Sequence, residues 1–314
     1  INVNFVKEVP YVPITITNTQ STATPAPFQQ MIEFNPSTYA QYENGNLGNI
    51  RFYQGSTELY SWCESGCSNT SSSAIFWIKL LNSVPANGNV IVNMTFEPKS
   101  VNYDGLYAGE APQLAPTYGE YDNGASVFTF YDNFAGTIIN NEWTQVVPSG
   151  TTITQNNGIT ITTDSSSTYG GLILTNGFSG VQIFEGDVTA VSGVAAGLAL
   201  QTGNTASSGG IDFNYWSGSV AYGSMSGGMS GNNNPNLQIS TGIMGGVWTS
   251  SSSQTWYKNY VATTGTQSAY TLPSVVYPSI GIYYSSPSTS ITYQWVRVRA
   301  YPPNGVMPST SFGS

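Results

Sequence analysis

The chain has no histidine and almost no charge. Asp, Glu, Lys and Arg make up 7% of its 314 residues, against about 25% in an ordinary soluble domain. The missing histidine removes the commonest general base, metal ligand and neutral-pH switch together. The missing charge describes a surface that does not depend on ion pairs and is kept in water by hydroxyls and amides. Three causes fit such a surface: an acidic medium, in which protonated carboxylates no longer balance Lys and Arg, a coat of glycan, or close packing in an assembly. All three place the protein outside the cytoplasm. Hyperthermophilic proteins usually gain charge networks; the opposite trend here favours acid.

Other absences narrow the class further. No run of about 18 apolar residues is present to span a membrane, and the long apolar N-terminal helix of a pilin-type subunit is missing. Ile1-Asn2-Val3-Asn4 has neither the basic start nor the apolar run of a signal peptide, so Ile1 is expected to begin a processed chain. Seven scattered basic residues at a formal charge of −9 argue against nucleic acid as a partner, because phosphate needs clustered Lys and Arg. The two cysteines, Cys63 and Cys67, flank a glycine in Cys-Glu-Ser-Gly-Cys, which suits a disulfide-closed turn in an oxidising compartment. Too few ligands lie near them for zinc. No metal or cofactor is expected.

What is present reads as strand. Apolar residues alternate in Val12-Ile14-Ile16, Ile50-Phe52, Ile75-Trp77, Val90-Val92-Met94-Phe96 and Ile159-Ile161, and Asn-Gly turns at 44, 87, 123, 157 and 304 separate the runs. Short strands at even spacing without helices between them predict an all-β chain of two β-sandwich or jelly-roll domains. A composition shift near 98–126 puts the boundary at about 120. The expected divisions are a tail 1–10, a sandwich 11–120, a jelly roll 121–303 and a tail 304–314. Ser217–Asn236, nearly low in complexity, reads as a long polar excursion or a plain surface loop.

The tail is itself patterned. Ile1, Val3, Phe5 and Val9 alternate with Asn2, Asn4, Val6 and Glu8, and Lys7 breaks the apolar face. Such a strand either completes its own sandwich or fills a groove in the next copy, as in donor-strand complementation. Lys7 reads as a snorkelling or edge-blocking charge in preference to the amine of an intersubunit isopeptide bond.

Tyr11-Val12-Pro13-Ile14-Thr15-Ile16-Thr17-Asn18, Pro27-Phe28-Gln29-Gln30-Met31-Ile32, Asn49-Ile50-Arg51-Phe52-Tyr53, Leu59-Tyr60-Ser61-Trp62 and Phe76-Trp77-Ile78-Lys79-Leu80 resemble an uncharacterised β-domain of secreted and surface proteins of thermoacidophilic archaea. The second half, from Tyr131-Asp132-Asn133-Phe134 and Trp143 to Gln294-Trp295-Val296-Arg297-Val298-Arg299, is similar to concanavalin-like, laminin-G-type jelly rolls. The whole arrangement resembles the subunit of archaeal thread filaments. That resemblance implies a non-catalytic, cell-surface, head-to-tail homopolymer in which residues 1–10, including Ile1, Val3, Phe5, Lys7 and Val9, enter a neighbour, used for adhesion or biofilm. A head-to-tail contact of two different surfaces does not close and propagates as a fibre. The alternative is a monomeric carbohydrate-binding module.

Remaining candidates are weighed against plainer roles. Glu185-Gly186-Asp187 puts two carboxylates on one strand face, the pattern of jelly-roll glycoside hydrolases. Thr189 and Ala190 stand where a third acid would be sought, so solvent-facing acids and no enzyme are expected. Asn69-Thr70-Ser71 and Asn93-Met94-Thr95 are N-glycosylation sequons, which makes covalent glycans expected partners. Asp104, Glu110, Glu120 and Asp122 have spacing too irregular for a strong calcium site. Trp216, Trp248, Trp256, Tyr215, Tyr222 and Tyr257 form either a sugar-stacking platform or core packing.

Overall fold

A computed structural model describes residues 9–164, 169–193, 196–216, 219–224, 241–250, 253–265, 272–282 and 288–313, with the side chains of 212–216, 219–224 and 263–265 outside the description. The chain is all-β and divides into two compact units, residues up to 129 together with 300–314, and residues 130–299.

The N-terminal unit contains β1 (Tyr11–Asn18), β2 (Phe28–Phe34), β3 (Ile50–Gln54), β4 (Thr57–Glu58), β5 (Ser61–Ser65), β6 (Ala74–Leu80), β7 (Gly88–Phe96) and β8 (Ala108–Glu110). The C-terminal unit contributes β9 (Phe130–Asp132), β10 (Trp143–Val146), β11 (Thr151–Gln155), β12 (Ile159–Thr163), β13 (Gly170–Leu174), β14 (Phe178–Ser179) and β15 (Gln182–Ser192). It continues with β16 (Ala196–Gln201), β17 (Gly210–Trp216), β18 (Ser219–Ser224), β19 (Gly242–Ser250), β20 (Ser253–Lys258), β21 (Val261–Gly265), β22 (Val275–Ile282) and β23 (Thr289–Ala300). The last strand, β24 (Ser309–Phe312), pairs with β1.

In the N-terminal unit the sheets run β24-β1-β7-β3-β4 and β2-β6-β5-β8. Alternation in β1 sends Val12, Ile14 and Ile16 inward, where they join Phe28, Ile32, Phe52, Phe76, Val92 and Met94 in one core. Cys63 and Cys67 form the expected disulfide, with Cα atoms 6.2 Å apart. Amides do the work that ion pairs do elsewhere. Asn18, 1% exposed, donates from Nδ2 to the carbonyls of Thr22, Val84 and Pro85. Asn49 donates to Tyr42 O while its Oδ1 accepts from Asn44 N. A buried amide satisfies several loop carbonyls without any charge that acid could remove.

In the C-terminal unit an eight-stranded sheet, β11-β12-β23-β15-β19-β20-β21 with β9 on β23, and a seven-stranded sheet, β10-β13-β22-β16-β17-β18 with β14 on β22, supply the strands around a second core. Asn157 (φ 53°) and Gly158 (φ 127°) turn β11 into β12, as the Asn-Gly signal predicts. Asp132 accepts from Phe134 N, Asn140 Nδ2 and Trp143 Nε1 and so ties β9 to the start of β10.

Three expectations about organisation need revision. The boundary lies at 129/130, not 120. Residues 304–314 are no free tail, because β24 holds an edge position and belongs with the N-terminal unit. The excursion expected from Ser217 contains strand β18, paired with β17; residues 217–218 and 225–240 lie outside the described residues. So do Ile1, Val3, Phe5 and Lys7 of the tail. Val9 is described and is 41% exposed.

Candidate functional site

The residues with chemical potential gather on the face of the eight-stranded sheet turned away from its core. In β15, Phe184 and Val188 belong to the core, so Glu185 and Asp187 point the other way. In β23, Val296 and Val298 are core residues, which places Trp295, Arg297 and Arg299 on the same outer face. Arg297 is register partner to Tyr131 of β9. Gly245 of β19 lies opposite both Glu185 and Tyr257. A Cβ there would come within 2.7 Å of Glu185 Cγ, so the glycine leaves the space the carboxylate occupies. Its neighbour Gly246 does the same on the core side, where a Cβ would stand 2.2 Å from the ring of Trp256.

Glu185 is 1% exposed and is gripped from both sides. Arg297 Nε donates to Oε2 at 2.7 Å and Arg299 Nη2 to Oε1 at 2.7 Å. Burial alone would raise the carboxyl, but the guanidiniums of Arg299 and Arg297 outweigh it and hold it at about 2. Arg297 also donates to Tyr260 OH at 2.9 Å, and its guanidinium sits over the Trp295 ring at 4.7 Å. Glu185 therefore stays ionised through almost the whole pH range. It can hold cationic groups and donors in place, but it cannot donate a proton at ordinary pH. The expectation of solvent-facing acids fails here because two arginines a strand away supply the compensation that makes burial tolerable. Asp187 is half-buried.

Among the described residues the aromatic platform does not form an exposed surface. Trp248, Trp256 and Tyr257 are 3%, 0% and 8% exposed, and Trp248 and Trp256 are core residues. The side chains of Tyr215, Trp216 and Tyr222 lie outside the description. Half-buried rings instead stand at Tyr131, beside Trp295 with centroids 6.4 Å apart, and at Tyr260.

Two acids of the 98–126 stretch, Asp104 and Asp122, are taken up by local hydrogen bonds. Asp104 Oδ1 accepts from the amides of Leu106, Tyr107 and Ala108, and Asp122 Oδ1 from Trp62 Nε1 and Gly124 N. Those oxygens are committed to turns in a way calcium ligands are not. Glu110 is 4% exposed. The sequon residues Asn69 and Asn93 are both half-buried.

No family model matches the chain. A curated relative, the uncharacterised protein 562 of Sulfolobus islandicus rod-shaped virus 1, is 44% identical over 123 residues, which are 38% of this chain and 21% of that protein. The chain thus spans about a fifth of that relative's length. Solved structures with a similar arrangement include the cellulose-induced protein Cip1 (11% identity, TM-score 0.42, 54% of this chain and 96% of that one). Porphyranase B from Zobellia galactanivorans aligns at 13% identity and TM-score 0.40, over 54% and 91%. A Bacillus licheniformis β-glucanase aligns at 14% and 0.38, over 54% and 97%. These likenesses concern the jelly-roll fold alone. The expectation of no enzyme does not stand: a glucanase and a porphyranase are among the structures just named, and the ground for that expectation fails because carboxylates by themselves suffice for glycoside hydrolysis. The missing histidine excludes nothing there.

Proposed function

We propose that the chain is an extracellular module that recognises carbohydrate through the outer face of the eight-stranded sheet in its C-terminal unit. The observation that carries this reading is the assembly of Glu185, Arg297 and Arg299 with Trp295, Tyr131 and Tyr260 on a sheet face that the core does not use. Saccharides are bound by ring faces that stack on their C–H groups and by fixed charged groups that hydrogen-bond their hydroxyls. Half-buried Tyr131, Tyr260 and Asp187 form the accessible rim, and the ion triad behind them holds Arg297 rigidly. Calorimetric titration of the full chain with neutral and uronic-acid oligosaccharides tests it, with reducing ends followed over time to detect hydrolysis. Binding that weakens about tenfold or more in Tyr131→Ala, at an unchanged urea midpoint, supports the reading. No saccharide bound, or equal binding by the variant, refutes it.

A second reading, self-assembly into a surface filament, is favoured by a different observation. Strand β2, seven residues long, is hydrogen-bonded along one edge, to β6, among the described residues. An open edge backed by buried Phe28, Ile32 and Phe34 is what an inserted strand carrying Ile1, Val3, Phe5 and Val9 would extend. In this reading Asn69 and Asn93 carry glycans on the assembled surface. Electron microscopy of the chain beside Phe5→Asp decides it: fibres that vanish with the substitution support it, and discrete particles from both forms remove it.

A further inference from the structure

Two buried carboxyls of the N-terminal unit form no ion pair among the described residues, in contrast to Glu185. Glu43 is 0% exposed, and neither Oε1 nor Oε2 has a hydrogen-bond partner among the described residues. The cation nearest in effect, Lys99, directs its Nζ to Ala40 O at 3.1 Å, and the other titratable groups around Glu43 are the hydroxyls of Tyr39 and Tyr103. Glu110, 4% exposed, makes no ion pair among the described residues; it faces Glu120 and Asp122, with Tyr103 and Tyr121 beside it. An ionised carboxylate at Glu43 is deprived of water without compensation, and at Glu110 it is largely withdrawn from water and repelled by its neighbours.

We propose that the N-terminal unit is built around the protonated forms of Glu43 and Glu110, so that the fold tightens as the medium turns acidic and loosens towards neutrality. Burial, opposed by Lys99, pushes the Glu43 carboxyl up to about 8. Burial, with Glu120 and Asp122, pushes that of Glu110 to about 7. The sign follows from linkage. Below about pH 4.5 both groups are protonated whether the chain is folded or not, and nothing is lost. Between about 4.5 and 7 to 8 the unfolded chain releases these protons while the folded unit retains them, so rising pH favours unfolding. Each group contributes up to about a tenfold rise in the unfolding constant per pH unit. This gives the low charge of the chain a mechanism: the N-terminal unit tolerates acid and is also assembled for it.

Native-state hydrogen exchange on the full chain, corrected for the intrinsic pH dependence of exchange, tests the proposal. Between pH 4.5 and 7.5 the protection of β6 and β7 is expected to fall at least thirtyfold. In the double variant Glu43→Gln/Glu110→Gln it is expected to stay at its acid level. Equal or greater protection at pH 7.5 in the unsubstituted chain overturns the proposal, as does a double variant that keeps the original pH dependence. Should the variant not fold, carboxyl titration of the unsubstituted chain labelled with 13C-glutamate gives the answer. Two resonances with midpoints above pH 6 are required, and titration of every glutamate below pH 6 overturns it.

Discussion

The two units bury carboxylates in opposite ways. In the C-terminal unit, Glu185 lies between Arg297 and Arg299 and is held ionised. In the N-terminal unit, Glu43 and Glu110 are buried without ion pairs among the described residues, and their carboxyls are raised. The same residue type thus becomes a permanent anion in one unit and a proton-holding neutral group in the other. The difference lies in what the neighbouring strands supply. β23 brings two guanidiniums across to β15; around Glu43 the chain brings tyrosine hydroxyls and the more distant Lys99, and around Glu110 further acids. Burial of a carboxyl is therefore not a property of glutamate but of the fold around it.

The largest expected effect comes from making the C-terminal unit resemble the N-terminal one. Arg297→Met removes half of the compensation of Glu185 and is expected to cost about 3–5 kcal/mol in urea unfolding, with the Glu185 carboxyl moving upward in a 13C titration. A loss under about 1 kcal/mol would show that Arg299 suffices. The pH course of the two units gives a second test of opposite sign. Glu185 is depressed, so its contribution is present above about pH 4.5 and disappears as pH falls towards 2. Protection of β15 and β19 should drop in that window, where the N-terminal unit is at its firmest.

Smaller effects address the amide-for-charge substitution. Asn18→Leu strips the donor from three loop carbonyls and is expected to destabilise by about 1–3 kcal/mol, independently of pH from 3 to 8; a pH-dependent loss would mean that a titrating group shares the network. Replacing both Cys63 and Cys67 by serine opens a loop of separation 4. It should cost about 2 kcal/mol by the chain-entropy account, measured as a lower melting temperature that is also reached by reducing the native protein. Lys99→Met is expected to change stability by no more than about 0.5 kcal/mol, because Lys99 only tempers the Glu43 carboxyl from a distance. A larger change would place Lys99 in direct partnership with Glu43.

Much of the strand structure was legible in the sequence. The alternation of Val12, Ile14 and Ile16 marks the buried face of β1, and Asn157-Gly158 marks the turn between β11 and β12. β24 was not legible, since Ser309-Thr310-Ser311-Phe312 is too short and too polar to announce a strand; its pairing with β1 creates it. The site was legible only in halves. Glu185-Gly186-Asp187 draws notice as a carboxylate pair, and Val296-Arg297-Val298-Arg299 puts two arginines on one strand face by simple alternation. That second pattern, with Gly245-Gly246, was the overlooked signal.

By itself the sequence determined the all-β class, the scarcity of ion pairs, the disulfide turn and most inward-facing positions, because those follow from local periodicity, composition and a separation of four residues. The tertiary structure alone decided the charge state of each buried acid. Glu185 meets its arginines across 112 and 114 residues, while Glu43 and Glu110 pair with none among the described residues. A carboxyl's protonation depends on the dielectric and the charges within a few ångströms, and only the folded chain fixes which residues those are.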